Sequence, residues 1–274
     1  MSKRNTVLLK LFSALLLCRL AAPAQGALKA GATLTYTVVA QAKLAGGHLP
    51  TQLYNSQPGL VRSISIAVNS IDSDGVAQVH VTSQKEMPAS VKAVTRAAVE
   101  KMGHGEFEAM MTPEGALVIP QDAQLQASDA PSAQGLSTRQ YRDKIVAQAN
   151  DPAYEGRMAA FEVSQIFVLP NLVALSVSKR PSITVGDHWQ VTSNIERKSY
   201  DLTITGKDTS NGHEVVLVSA TGKFDTPSGS SSVDAQLRYD PVNHLVVSMH
   251  SDTSNHLTSM GMTQAATYQM DLKP

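Results

Sequence analysis

The feature that most limits the fold of this chain is a period-two alternation of apolar and polar residues, which recurs in segment after segment. Successive side chains of a strand point to opposite faces, so this alternation predicts strands with one buried face and one solvated face. Such strands are typical of antiparallel sheets. The apolar positions of these segments are Ala32, Leu34, Tyr36 and Val38; Ile64, Ile66 and Val68; Ala77, Val79 and Val81; Trp189, Val191 and Ile195; Tyr200, Leu202 and Ile204; Val233, Ala235, Leu237 and Tyr239; and Tyr268, Met270 and Leu272.

Turn signals separate these segments. Asp74-Gly75 and Asn211-Gly212 each lie between alternating runs, and such pairs adopt the positive φ angles that tight hairpins require. Proline fixes φ early in two further turns, at 112–115 and 240–243. The segments are therefore predicted to pair as hairpins.

The same turns recur in the same order, which predicts an internal duplication. Each half opens with a glycine before a strand, at Gly31 and Gly186, and the closing hairpins at 113–119 and 241–247 match without a gap. A meander without duplication would also place glycine turns between alternating runs. We predict a mainly β fold, either one antiparallel curved sheet or a sandwich or half-barrel, built from two similar halves with two or three helices inserted between them.

Helical patterns lie between the halves. Periodicity predicts a helix at 88–102, and a capping box at 137–140 starts a second that runs to Gln148. A third candidate, 155–169, ends at Pro170, and its 161–169 part is also compatible with a strand. The predicted organisation is a first β half at 25–120, a loop and helical insertion at 121–180 and a second β half at 181–274, with 25–274 forming one compact domain.

The first 24 residues have the pattern of a secretory signal peptide. Lys3 and Arg4 form a basic start, 11–18 is a short apolar core, and 22–24 supplies the small-x-small pattern that a signal peptidase recognises. The apolar core is far shorter than the roughly 20 residues of a membrane-spanning helix, which disfavours a retained anchor. We therefore predict an exported protein of the periplasm or the extracellular medium.

The mature N-terminus is predicted at Gln25, with Ala27 as the alternative. A lipid-anchored form is a further alternative, in which Cys18 would be acylated. A lipoprotein leader places a small residue before that cysteine, and here Leu17 precedes it. No transmembrane segment is predicted after leader removal.

Removal of the leader changes the charge and the cysteine content. The leader carries four of the 23 Lys and Arg residues and none of the 23 Asp and Glu residues, so the formal net charge becomes −4. A mildly acidic chain without a basic run is a poor candidate for binding nucleic acid. Cys18 is the only cysteine, so the mature chain contains no disulfide, thiolate metal site or cysteine nucleophile.

The known short catalytic motifs do not fit this sequence. His213-Glu214 begins like a zinc-peptidase motif, but Leu217 occupies the position of the second histidine. No GxSxG motif is present, and the glycines at 46–47 and 103–105 lack the strand-to-helix context of a phosphate loop. The sequence therefore identifies no catalytic or cofactor-binding residue.

The histidines do not predict a metal site. His244, His250 and His256 recur every six residues, and the spacing places His244 and His250 on one strand face with Val246, Ser248 and Asp252. Six residues of strand cover about 20 Å, which is more than two ligands of one zinc ion can span. His80 is predicted on a solvated face of its own strand.

Two carboxylate pairs and the single tryptophan also have structural interpretations. Asp72 with Asp74 fits turn chemistry, and Glu106 with Glu108 fits a solvated strand face. Trp189 lies on an apolar strand face, which predicts a core position, with ligand stacking as the alternative.

One resemblance to known proteins is present. Leu169-Pro170 leads to the strand start Val185-Gly186-Asp187-His188-Trp189, and a hairpin from Asp240-Pro241 to Val246 follows. The motifs resemble a loose group of exported bacterial β-rich proteins of uncharacterised function, mainly over residues 169–274. The resemblance implies export and a fold, and no active site comes with it.

Three functions are open from the sequence. The first is a non-enzymatic exported module that binds a partner protein or an apolar small molecule. The second is a secreted hydrolase with a dispersed catalytic site, and the third is a purely structural surface protein. An apolar cavity lined by Met260, Met262 and Tyr268 would favour the first, and a buried Ser–His–acid cluster would favour the second.

Overall fold

The computed structural model describes residues 28–46, 60–86, 104–125, 151–193, 197–210, 212–226, 229–258 and 261–273, together with 137, 139, 140, 143 and 147. The strands are β1 (Thr33–Gly46), β2 (Leu60–Ile71), β3 (Ala77–Glu86), β4 (Gly105–Met111), β5 (Leu117–Val118), β6 (His188–Thr192), β7 (Ser199–Ser210), β8 (His213–Thr226), β9 (Gly229–Asp240), β10 (Leu245–Leu257) and β11 (Met262–Leu272). The helices are α1 (Pro152–Ile166) and α2 (Val168–Val177), with a 3₁₀ turn at Gln121–Ala123.

All described strands form one antiparallel sheet. Its strand order is β5-β4-β3-β2-β1-β11-β10-β9-β8-β7-β6, so each half of the chain is a sequential meander. The two meanders join where β1 pairs with β11, as in the register Val38↔Met270. The sheet is open, with β5 and β6 as its edges.

The predicted alternation is confirmed. Ile64 and Ile66 on β2 are fully buried, while their neighbours Ser63 and Ser65 are partly exposed. The same alternation buries one face of β3 and β9. The buried faces of both meanders contribute to a single hydrophobic cluster, which also contains α1 and α2 side chains. The predicted mainly β, antiparallel fold with helices between the halves is therefore correct.

The two meanders share local features. Gly31 N–H donates to the Val68 carbonyl at 2.8 Å, and Gly186 N–H donates to the Ile204 carbonyl at the same distance. The register shifts directly after Val68 in β2 and directly after Ile204 in β7. Gly75 and Gly212 both have positive φ in the following hairpins, as predicted. Duplication stays a prediction, which these shared features support.

The sheet curls so strongly that two distant turns touch. The turn between β4 and β5 ends at Gly115, and the turn between β9 and β10 contains His244. A Cβ atom at Gly115, where φ is +87°, would lie 1.6 Å from the His244 carbonyl oxygen. Tyr239 Oη also donates to the Glu114 carbonyl at 3.3 Å. One end of the sheet is thereby folded back on itself.

The third predicted helix is present with different boundaries. The strand alternative at 161–169 is wrong, because α1 and α2 occupy this segment and are bent by 51° at Phe167. The predicted end at Pro170 is also wrong: Pro170 lies in the first turn of α2, where its missing N–H removes no helical hydrogen bond. The helix break lies at Phe167, whose ring packs edge-to-face on Tyr36 at 5.4 Å.

A side chain from α2 completes the short edge strand β5. Asn171 Oδ1 accepts from Leu117 N–H at 2.8 Å, and Asn171 Nδ2 donates to the Leu117 carbonyl at 2.7 Å. The amide thus makes the two hydrogen bonds that a neighbouring strand would make. The helices are attached in this way to the edge of the sheet as well as to its buried face.

The other predicted helices are described only in part. Arg139, Gln140, Asp143 and Ala147 are helical. The capping box is confirmed, because Ser137 N–H donates to Gln140 Oε1 at 3.0 Å and Gln140 N–H donates to Ser137 Oγ at 3.3 Å. The helix predicted at 88–102 and the signal peptide at 1–24 lie outside the described residues.

Candidate functional site

A cavity of about 260 Å³ lies between the α1–α2 break and the inner face of the sheet. It is open to solvent on one side, and its volume is just below the range of about 300–1,000 Å³ that is typical of small-molecule sites. The described residues that line it are Val38, Gln165, Ile166, Val168, Leu169, Lys198, Tyr200, Ser231, Val233, Met249, Ser251, Thr253, Asn255 and Tyr268.

The lining changes from apolar to polar along β10. Met249 and Ser251 are buried, whereas Thr253 and Asn255, further along the strand, are partly exposed. These four residues alternate with outward-facing neighbours, so all of them face the cavity. The apolar end lies toward the helices and the polar end opens at the end of the sheet opposite the touching turns.

The helix break borders the cavity. α1 ends at Ile166 and α2 begins at Val168, and the two helices are bent by 51° at Phe167. Phe167 itself is buried against Tyr36. The side chains on either side of the break, Ile166 and Val168, form the roof of the cavity.

An aromatic pair positions a lysine at the polar end. Tyr200 and Phe224 pack at 5.2 Å between ring centroids, and Lys198 Nζ lies 5.0 Å from the Phe224 centroid. Gly222 leaves room for this arrangement, since a Cβ atom there would lie 2.3 Å from the Phe224 ring. Lys198 is the only charged residue among the described residues that line the cavity.

A buried ionic cluster lies beside the cavity wall. Glu162 on α1 accepts hydrogen bonds from Arg62 and from Lys85, the latter at 2.6 Å. Arg62 also donates to Ser83 Oγ at 2.7 Å. Arg62 is the cross-strand partner of Val38, which lines the cavity. The cluster therefore holds α1 against β2 and β3 next to the candidate site.

Met260, Met262 and Tyr268, whose presence around a cavity would favour a binding function, lie in different places. Tyr268 lines the cavity. Met262 is buried but is not among the described lining residues. Met260 lies outside the described residues.

His80 is on the solvated face of β3, as predicted. Its Nδ1 lies 2.8 Å from Glu108 Oε1, and its Nε2 lies 3.5 Å from Glu106 Oε2. The hydrogen bond to Glu108 raises the pKa of His80 above its ordinary value, and burial opposes this shift. Both glutamates are exposed, as predicted for a strand face, and the three side chains form a surface ion-pair group.

The predicted shared face of His244 and His250 is wrong. His244 lies in the turn before β10 with φ of 54°, and its Nδ1 lies 3.1 Å from Tyr239 Oη. The register shift after Val246 then changes the alternation, so that Val246 is buried while His250 is exposed. The spacing argument failed because a turn and a bulge interrupt the period of two.

Trp189 is partly buried and packs against the core. The Arg180 guanidinium lies 3.8 Å from the centroid of its ring, so a residue of this chain occupies one face of the indole.

Asp72 caps its turn by accepting from the N–H groups of Asp74 and Val76, both at 2.9 Å, as predicted.

The partners of two further histidines and of one buried serine are defined in the described part of the chain. His188 Nδ1 lies 3.0 Å from Thr203 Oγ1, and its Nε2 lies 4.0 Å from Asp201 Oδ1. His256 Nδ1 lies 3.2 Å from Thr263 Oγ1. Buried Ser164 bonds to Gln124. Within the described ranges, no group of three or more His, Cys, Asp and Glu side chains has a geometry that fits a metal ion.

Within the part of the chain that the structure describes, no single helix is long and apolar enough to cross a membrane. The bent pair Ala153–Ile166 and Val168–Val177 reaches that length and composition only when both helices are taken together.

Comparisons with known proteins give similarity of structure only. No protein-family model matches the chain, and a comparison with curated proteins finds no match. One similar solved structure is a protein from Bacteroides fragilis described as exported and of YmcC-like fold, with 10% identity, a TM-score of 0.30, and coverage of 90% of this chain and 97% of that one. Another, from Parabacteroides distasonis, is described as a lipoprotein, with 10% identity, a TM-score of 0.29, and coverage of 91% and 98%.

Sequence reasoning did not identify Arg62, Lys85 or Glu162. A signal was present for the two cations. Arg62 continues the buried positions of β2, and Lys85 continues those of β3, so each places a charge on a face that is otherwise apolar. A buried charge requires a partner, which here comes from α1.

Proposed function

We propose that this chain is an exported binding protein that holds an apolar group of a small molecule in the cavity beneath the α1–α2 break. The cavity itself is the observation that carries the proposal. Small-molecule sites are concave and mostly apolar, with a few polar groups at defined positions. This cavity combines apolar walls from Val38, Leu169 and Met249 with a polar mouth.

The proposal is tested with N-phenyl-1-naphthylamine, a neutral probe whose fluorescence rises in apolar surroundings. We expect saturable binding to the protein that lacks residues 1–24. Val233 faces the cavity from β9, whereas Gln236 is exposed on the other face of the same strand. Val233→Trp should fill the space and weaken binding by about tenfold or more.

Gln236→Trp is the matched control and should bind the probe as the parent protein does. Thermal unfolding of both variants checks that they fold. Binding that Val233→Trp leaves unchanged, in a folded variant, would place the probe elsewhere and contradict the proposal. Turnover of ester, glycoside or peptide substrates would instead support the hydrolase alternative.

Export is a separate part of the proposal, and the leader pattern supports it. Mass spectrometry of protein recovered from outside the cytoplasm should find an N-terminus at Gln25 or Ala27. A diacylglyceryl group on Cys18 would show a lipid-anchored protein. An intact leader on all of the protein would contradict export by this route.

A further inference from the structure

One buried hydroxyl group of the cavity has no partner in the described part of the protein. Ser251 lies on the inner face of β10 among the lining residues, and it is only 3% exposed. Within the described ranges, its Oγ atom makes no hydrogen bond to another residue. Buried hydroxyl groups are almost always hydrogen-bonded, so this exception needs a physical explanation.

The neighbouring hydroxyl on the same strand face does have a partner. Thr253, two residues further along β10, donates from Oγ1 to the Ala266 carbonyl at 3.2 Å. The cross-strand neighbours of Ser251 are Ala235 on β9, which has no polar side-chain atom, and Tyr268 on β11, which also lines the cavity. The Ser251 hydroxyl is therefore available to a molecule inside the cavity.

This hydroxyl lies toward the apolar end of the cavity. The inward-facing residue before it on β10 is Met249, which is buried, and the one after it is Thr253, which is partly exposed. Val168 and Leu169, both buried, line the same cavity from α2. Ser251 thus adds one donor and two acceptor lone pairs to mainly apolar surroundings. A molecule at this depth gains a hydrogen bond only if it carries a polar atom opposite Ser251.

A charged group at this depth would have no counter-charge among the described lining residues. Lys198, the only charged one, lies at the polar end. The buried cations beside the wall, Arg62 and Lys85, already donate to Glu162. Burial of an unpaired charge is costly, so a neutral polar group is favoured.

We infer that the ligand is a neutral, mainly apolar molecule with a hydroxyl or carbonyl oxygen in its buried part, and that this oxygen hydrogen-bonds to Ser251. A serine hydroxyl donates to a carbonyl and either donates to or accepts from a hydroxyl, so both groups fit. The inference rests on the proposed function, because it names the class of molecule that the same cavity binds.

The test compares p-cresol with p-xylene, which has a methyl group in place of the hydroxyl and nearly the same shape, and with the anion p-toluate. Each ligand displaces N-phenyl-1-naphthylamine at neutral pH from the protein that lacks residues 1–24. Ser251→Ala should weaken the binding of p-cresol about fivefold, because one hydrogen bond is lost, and leave the affinity for p-xylene unchanged. Each ligand is compared with itself in the two proteins, so differences in its transfer from water cancel. The anion p-toluate should bind more weakly than p-cresol.

Ser248→Ala is the matched control. Ser248 directly precedes the buried Met249 on β10, so it faces the other side of the sheet, and it is not among the described lining residues. Its removal should leave both affinities unchanged. Ser251→Ala should unfold at the same temperature as the parent protein or higher, since a buried hydroxyl without a partner does not stabilise the fold.

The outcomes separate the two proposals. If neither the probe nor any of the three ligands binds, the proposed function fails, and the inference fails with it. If the probe binds but p-cresol does not displace it, or if Ser251→Ala weakens p-cresol no more than p-xylene, the inference alone is wrong.

Two further results would also overturn the inference. A lower unfolding temperature of Ser251→Ala would mean that the hydroxyl is bonded within the protein or to a structural water. Tighter binding of p-toluate than of p-cresol would mean that the buried part of the ligand is charged.

Discussion

Removal of the Glu162 carboxylate is the sharpest test of how the helices are attached to the sheet. Glu162 accepts hydrogen bonds from both Arg62 and Lys85. The exposed side-chain fractions are 5% for Arg62, 9% for Lys85 and 28% for Glu162. In Glu162→Ala both cations stay buried and lose their shared counter-charge.

The expected loss follows from this burial. Removing one partner of a buried ion pair costs about 3–5 kcal/mol, because the remaining charge is desolvated without compensation. Partial exposure of Glu162 places the expected value at the lower end, about 3 kcal/mol. In a domain of this size that corresponds to a fall in Tm of roughly 6–12 °C.

Urea unfolding followed by the fluorescence of Trp189, the only tryptophan, measures the free energy of unfolding. Glu214→Ala is the control, because its ion pair with Lys207 is exposed and should contribute less than about 1 kcal/mol. A Glu162→Ala loss no larger than that of the control would refute the reasoning, since it would mean that water solvates the cluster.

Three further predictions concern the edge, the outer face and the touching turns. Asn171→Ala should lower the free energy of unfolding by about 1–3 kcal/mol and increase amide exchange in β5, because the edge strand loses two hydrogen bonds; unchanged exchange would contradict this. The bond to Glu108 raises the folded-state pKa of His80, so its stabilisation is present below the unfolded pKa of about 6.5 and is lost as pH rises through the higher folded value. NMR titration of the parent protein, with His80→Gln used to identify the resonance, should give a pKa above the unfolded value of about 6.5, and a lower pKa would refute the prediction. Gly115→Ala should destabilise the fold strongly in thermal unfolding, because its Cβ would overlap the backbone of His244 and φ is positive; a neutral result would mean that the turns do not touch.

The strands were predictable because their signal is local. A period of two over a few residues identifies the buried face of β2 without reference to any other strand. The same local rule failed at His244, where a turn and the shift after Val246 break the period. A second local rule, that proline ends a helix, failed at Pro170, because proline disfavours a helix interior but is well suited to a first turn.

The candidate site was not predictable to the same degree. Its lining extends from Val38 on β1 to Tyr268 on β11, so it exists only after the meanders join and curl. Tyr268 was named from its apolar strand, but Lys198 has no local signal that distinguishes it from a surface lysine. The charges at Arg62 and Lys85 were visible as exceptions to the alternation, and their partner Glu162 was not.

The contact between Gly115 and His244 limits where the sheet is able to change its curvature. The two turns fix the spacing across the concave side at one end, because neither backbone segment can approach further. A change of curvature must therefore be taken up at the far end, where β9 and β10 carry Ser231 and Asn255. A guest too bulky for the cavity would therefore have to displace that far end of β9 and β10, while the touching turns stay fixed.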